Sequence, residues 1–240
     1  MQNGFEISAL VAVDDGEQAR IAAFVSECEK LDGTSACFQQ EVVVVSESGK
    51  PSFVVCHHQR ALAGVLSVFS VVADEVELSV CVHPSFRRKG IATHLVYQAM
   101  ARLSALGVKR FLLVCDADSH EGVAFLMSCE GQPHHTEYSL RFDTDHRWTI
   151  LPQRLQIRRA GSGDIGGLVS IVSKAFGDAR EDVEGFIRSS MEWPTREVYV
   201  GLVDDVCVAT ASIGHDDEST ASINMVAVAP EVQSKGYATG

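Results

Sequence analysis

A twelve-residue segment occurs twice in this chain. Val82-His-Pro-Ser-Phe-Arg-Arg-Lys-Gly-Ile-Ala-Thr93 aligns with Val228-Ala-Pro-Glu-Val-Gln-Ser-Lys-Gly-Tyr-Ala-Thr239 at an offset of 146 residues, and six of the twelve positions are identical. The context repeats as well, because Val80 matches Val226 and a β-rich run precedes each copy. Repetition at the scale of a domain is a duplication, and it restricts the chain to an architecture that can be built twice in succession. The polar stretch from Asp143 to Arg154, with its Pro and its charges, has the composition of a linker. Domains are therefore expected at 1–145 and 153–240, joined by a linker over 146–152.

Hydrophobic periodicity orders the elements. In the first copy Ile21, Phe24, Val25 and Cys28 fall at helical spacing, and Ser52–His57, Leu62–Val72 and Val76–Val82 read as strands. After Gly90, the residues Ile91, Leu95, Ala99, Leu103 and Leu106 form one helical face that stops at Gly107. Phe111–Cys115 reads as a buried strand, Ser119–Glu130 as a helix and Tyr138–Phe142 as a last strand. In the second copy Leu155 and Ile157 alternate with polar residues as a strand. Asp164 is placed to cap a helix carrying Ile165, Leu168, Val169, Val172 and Phe176, and a further helix is expected over Asp182–Met191. Val198–Val203 and Val206–Ile213 flank Asp204-Asp205 as a hairpin, and Ala221–Val228 follows. Only the first half of the pattern is present in this copy, so its sheet is expected to be completed by further chain or by a partner, a homodimer included.

Composition narrows the function classes. No apolar run approaches the roughly 18 residues of a membrane span, and the first residues carry neither the basic nor the apolar region of a secretory signal. Seven scattered cysteines without a Cys-x-x-Cys pair argue against a disulfide framework and against a zinc site, so no metal is expected and the expected location is a reducing cytoplasm. A net charge of −12 disfavours nucleic acid and other polyanions. The exception is local: Arg87, Arg88 and Lys89 stand immediately before Gly90 and a helix N-terminus, where free amides and the helix dipole favour a pyrophosphate.

Strand, Val-x-Pro, (Arg/Gln)-x-x-Gly-x-Ala, helix is the pattern by which the chain resembles the GNAT superfamily of acyl-CoA-dependent N-acetyltransferases. It stands here as Val82-His83-Pro84 with Arg87-x-x-Gly90-x-Ala92, and as Val228-Ala229-Pro230 with Gln233-x-x-Gly236-x-Ala238. The resemblance implies an α+β fold, a mixed and mostly antiparallel sheet flanked by helices, in two tandem copies. It implies acetyl-CoA as donor and a primary amine of a small molecule or peptide as acceptor. In that family the strand before the loop is bulged and its amides meet the thioester and pantetheine, which here implicates Val80, Cys81 and Val82. The loop Arg87, Arg88, Lys89, Gly90, Ile91, Ala92 and Thr93 would hold the pyrophosphate; in the second copy Val228, Gln233, Lys235, Gly236 and Ala238 match. A catalytic glutamate on the same strand maps to Glu77, with Glu75 as a weaker candidate base. At the offset of 146 their counterparts are Ala221 and Ile223, neither a carboxylate.

The family tyrosine that protonates the leaving thiolate maps to Met127, which has no proton to donate. Ser128, Cys129, Tyr138 or water could substitute. Alternatively, the chain is a CoA-binding pseudoenzyme or sensor. Two other signals carry less. Gly161-Ser-Gly-Asp-Ile-Gly166 matches a dinucleotide fingerprint by letter, but a strand led by Arg158 and Arg159 is not the buried one such a site needs. The doublets His57-His58 and His134-His135, on presumed strands, would point to opposite faces and chelate nothing.

Overall fold

Residue alternation and helical capping account for most of the elements in the computed structural model, which describes residues 4–38, 50–69, 74–138, 140, 155–215 and 220–238. The chain divides into two compact units, Met1–Thr136 and Glu137–Gly240. The linker expected over 146–152 lies outside the described residues.

The first unit holds β1 (Phe5–Leu10), α1 (Asp15–Asp32), β2 (Phe53–His58), β3 (Ala61–Phe69), β4 (Glu75–Val82), α2 (Ile91–Ala105), β5 (Arg110–Val114) and α3 (His120–Ser128). Its sheet runs β1-β2-β3-β4-β5, antiparallel except for the β4/β5 pair. That pair is parallel because α2 carries the chain back across the sheet between the two strands. Asp14 caps α1 by accepting the Glu17 amide at 2.8 Å, and Gly33, at φ 70°, ends the helix in the left-handed conformation. The four apolar residues of its periodic face are all buried. They pack with Phe53, Val55, Val65 and Cys81 on one side of the sheet, while Ile91, Leu95, Val96, Ala99 and Leu103 of α2 pack with Val54, Leu66, Val76 and Leu78 on the other. β1 was not apparent from the periodicity, although Phe5, Ile7 and Ala9 do alternate. The last strand expected over 138–142 falls largely outside the described residues, and Tyr138 itself is in no strand and exposed.

The second unit holds β6 (Gln156–Arg159), α4 (Ile165–Phe176), α5 (Arg180–Glu192), β7 (Arg196–Val203), β8 (Val206–His215) and β9 (Ala221–Val228), with an antiparallel sheet β6-β7-β8-β9. Helices α4 and α5 bury Leu168, Val172, Val183 and Ile187 against Val198 and Val200. The two units share fine detail. Each central hairpin turns through two residues at positive φ, Gln59-Arg60 and Asp204-Asp205, as a tight hairpin requires. Each hairpin shifts register once, at Cys56/His57 and at Gly201/Leu202.

They differ on the next strand. β3 and β4 pair without interruption from Phe69–Glu77 to Gly64–Val82. β8 and β9 instead shift between Thr210 and Ser212, and Met225 adopts φ 53°. The bulge that the family resemblance implies for β4 is therefore found in β9, where one extra residue is accommodated. This changes the match between copies. Val80 still corresponds to Val226, but ahead of the bulge Glu77, opposite Phe69, corresponds to Ser222, opposite Gly214, and not to Ile223. Ile223 corresponds to Leu78. Leu78 lies under α2 at 1% exposure, whereas Ile223 is 58% exposed, and among the described residues no helix covers that face of the second sheet.

Candidate functional site

The site begins where β4 and β5 part. β5 accompanies β4 only from Glu75 to Ser79, so Val80, Cys81 and Val82 continue with β3 on one side and no strand on the other among the described residues. The His83 amide donates to the Ala63 carbonyl on the β3 side, and the Asp74 carbonyl accepts from Lys109 and Arg110 on the β5 side. Backbone direction alternates along a strand. Val80 and Val82 therefore turn their peptide groups to the open side. Cys81 turns its own to β3 and buries its thiol against α1, which corrects the expectation that all three amides face a ligand.

Val82 leads through a short 3₁₀ turn, Pro84–Phe86, into the basic loop. Arg88 at φ 61° and Gly90 at φ 79° are both left-handed, and α2 starts at Ile91 with Gly90 as an N-cap that offers no side chain. The first amides of α2 thus have no side-chain acceptor, and Arg88 and Lys89 are exposed beside them. Lys89 donates to the Ser85 carbonyl at 3.3 Å and lies 5.2 Å from the centre of the Phe86 ring. Gly64 permits this approach of helix to sheet: a Cβ there would lie 2.9 Å from Cγ2 of Ile91.

Arg87 turns inward. Its Nε donates to the Val82 carbonyl at 2.9 Å, one terminal nitrogen pairs with Asp32 and the other with Glu121 at 3.1 Å. These carboxylates, Asp32 foremost, raise its already high pKa. The second loop has the same backbone, with Ser234 at φ 61° and Gly236 at φ 83°. There Gln233 Nε2 donates to the Val228 carbonyl at 3.2 Å, while Lys235 and Ala238 are exposed.

Glu77 is half-buried on the α1 face of β4, the face it shares with Ser79 and Cys81. Glu75 is held by Arg110, whose Nε lies 3.1 Å from its carboxylate. Around Glu77 the structure adds residues that periodicity did not reveal. The buried Ser79 hydroxyl donates to the Cys37 carbonyl at 2.9 Å, the Ser35 amide donates to Asp116 at 2.8 Å, and the Ala36 amide donates to Glu29 at 2.9 Å. The segment after α1 is thereby strapped across the point where β4 and β5 diverge. The amides of Asp118 and Ser35 hold the Asp116 carboxyl below the usual carboxylate range. The Asp-x-Asp spacing of 116 and 118 was the one sequence signal for this turn.

The candidate acids are less well placed. Met127 is 60% exposed on α3, none of whose residues is buried. Ser128 donates its hydroxyl to the Phe125 carbonyl at 2.6 Å, and burial pushes the Cys129 thiol up. His134 and His135 lie in an irregular, exposed segment and not on a strand, with their Nδ1 atoms 2.7 Å apart. Among the described residues no group of three or more His, Cys, Asp and Glu is placed to hold a metal, and no helix is long and apolar enough to cross a membrane.

At the Gly161 loop, Asp164 stands at the N-cap of α4 as expected, but its side chain makes no capping bond to the helix. Its carboxylate accepts the Gly161 amide at 2.7 Å and the Arg158 fork at 2.7 and 2.8 Å. The protein's own anion occupies the amide that a dinucleotide phosphate would need.

The acetyltransferase (GNAT) family model matches residues 10–129 and 167–240. No curated protein matches the chain in sequence. Among solved structures it is similar to a GCN5-related N-acetyltransferase from Sphaerobacter thermophilus, at 19% identity and a TM-score of 0.67 over 99% of this chain and 80% of that one. It is also similar to a tandem GNAT protein from the clavulanic acid biosynthesis pathway, at 15% identity and a TM-score of 0.66 over 98% and 82%. A fungal GCN5-related glucosamine N-acetyltransferase region within a multi-domain β-N-acetylglucosaminidase gives 14% and 0.62 over 98% of this chain and 32% of that one.

Proposed function

Because the chain belongs to the GNAT family of acetyltransferases, we propose that its first unit transfers an acetyl group from acetyl-CoA to a primary amine, with Glu77 as base. The observation that carries this reading is the parting of β4 from β5, which turns the Val80 and Val82 peptide groups to an open side directly before an uncapped helix N-terminus. Residues present there fit such a donor: left-handed Arg88 and Gly90, the first amides of α2 and two exposed cations suit a pyrophosphate. Acetyl-CoA supplies the acyl group as a thioester. Val80 and Val82 offer backbone N–H groups to negative charge developing on the carbonyl oxygen. Glu77 accepts a proton from the acceptor ammonium, directly or through water, so that the nitrogen lone pair forms the new N–C bond as the C–S bond breaks. The nitrogen sheds its second proton as the amide forms, and water carries a proton to the leaving thiolate, since Met127 has none to give, while the proton on Glu77 passes to solvent.

The acceptor in this reading is a cationic amine of a small molecule or peptide, drawn by the net charge of −12. The second unit has Ser222, and no carboxylate, at the Glu77 position and is assigned no catalysis. Its exposed face around Ile223 and Val226 supports self-association, which sedimentation of the chain tests.

Calorimetric titration with acetyl-CoA and, separately, with NAD tests the assignment. Binding of acetyl-CoA that is lost in an Arg88→Ala/Gly90→Pro variant supports it; no binding to the intact chain overturns it. A CoA-binding sensor is the second reading, favoured by Met127 at the acid position, and it predicts binding without turnover of any amine in a panel.

A further inference from the structure

We infer that Arg87 is a positioning residue that couples the donor loop to the end of α1 and the start of α3, and that it does not contact the donor. This inference rests on the donor-loop assignment proposed for the first unit. The second unit serves as an internal control. Both loops have the same backbone, left-handed at Arg88 and Gly90 and at Ser234 and Gly236. Both are closed by one side-chain N–H reaching back to the last carbonyl of the preceding strand, from Arg87 to Val82 and from Gln233 to Val228. A glutamine is therefore enough to close the loop.

What an arginine adds is two further nitrogens on a rigid plane. One meets Asp32, the last residue of α1, and the other meets Glu121, in the first turn of α3. Three of the five guanidinium N–H groups are committed to a carbonyl and two carboxylates, and those carboxylates repel an anion approaching the other two. The Arg87 and Asp32 side chains are only 27% and 26% exposed, so this pair is shielded more than an ordinary surface pair, whereas Glu121 is largely in water. Both tied elements adjoin the opening between β4 and β5. α1 runs directly into the strap held by Ser79 and Asp116, and α3 follows the end of β5. An anion seated on residues 88–93 would thus be felt at α1 and α3 through one side chain.

The test is hydrogen exchange of the full chain with and without saturating CoA, in the wild type, in Arg87→Gln and in Asp32→Asn. Arg87→Gln should bind CoA within threefold of the wild type and keep CoA-induced protection over 88–95, while losing it over 28–33 and 119–123. Asp32→Asn, which leaves the loop intact, should lose it over 28–33. A tenfold or greater loss of CoA affinity in Arg87→Gln would make Arg87 a ligand and overturn the inference. So would protection at α1 and α3 that is absent in the wild type or unchanged in both variants. If the wild type binds no CoA, the donor assignment fails by itself. The link is then judged on exchange without ligand, which should rise severalfold over 28–33 in both variants, and unchanged rates there would overturn it.

Discussion

Ser79, in the middle of β4, donates its buried hydroxyl to the carbonyl of Cys37, 42 positions earlier in the chain, at 2.9 Å. This bond fastens the strap after α1 to the strand that carries Glu77. Ser79→Ala leaves the carbonyl without that donor and should cost about 1 kcal/mol in urea unfolding. It should also speed backbone exchange over 34–38 more than elsewhere. Uniform exchange would mean that the strap is held by other contacts.

Glu77→Gln should lower kcat by about 100-fold or more, the range for loss of a general base, and leave CoA affinity unchanged in calorimetry. Equal loss of binding and turnover would show that Glu77 shapes the site and does not act as base.

Gly64 and Ile91 meet where α2 docks on β3. Gly64→Val would force a Cβ to 2.9 Å from the Ile91 methyl, and overpacking of this kind costs about 1–3 kcal/mol. Urea unfolding should record the loss, and CoA binding should weaken because the α2 N-terminus is displaced. The corresponding position in the second unit is Ala209, which already carries a Cβ.

Asp116 gives a pH signature. Its carboxyl titrates below its unfolded value, chiefly because the Asp118 and Ser35 amides donate to the charged form. Its contribution is therefore complete above the unfolded pKa of about 3.9 and is lost as pH falls through the lowered folded value. The urea midpoints of wild type and Asp116→Asn should differ at pH 5 and converge toward pH 3. A gap that is constant with pH would assign the effect of the substitution to something other than this ionisation.

Gly90 holds φ 79° at the start of α2. Gly90→Ala should cost about 1 kcal/mol of stability from the left-handed backbone and weaken CoA, whereas Arg88→Ala should weaken CoA with a reduced salt dependence and little change in stability.

The duplication, the α1 and α2 faces, both central hairpins and both Gly loops were legible because each is written within a few residues of itself. Ile21, Phe24, Val25 and Cys28 fall on one helical face whatever they pack against, and Gly90 and Gly236 mark the same turn. β1 was not legible, since its alternation is short and it is held only as an edge strand on β2. The one-residue insertion at Met225 was also hidden. A bulge changes which residues lie opposite each other without leaving a mark in apolar spacing, and a constant offset then matched Glu77 to the wrong partner.

The sequence by itself determined that there are two copies and where the first loop meets α2, because local spacing encodes local geometry, and its two loop motifs carried the family resemblance. Only the tertiary structure decided that Arg87 meets Asp32 and Glu121, that Asp164 fills its own glycine turn and that the strap is fastened to Ser79. Arg87 and Asp32 are 55 residues apart, Ser35 and Asp116 81 residues apart. Contacts at such separations depend on how β4, β5 and α1 pack, and a charged or polar side chain carries no local pattern that foretells which distant group it will meet.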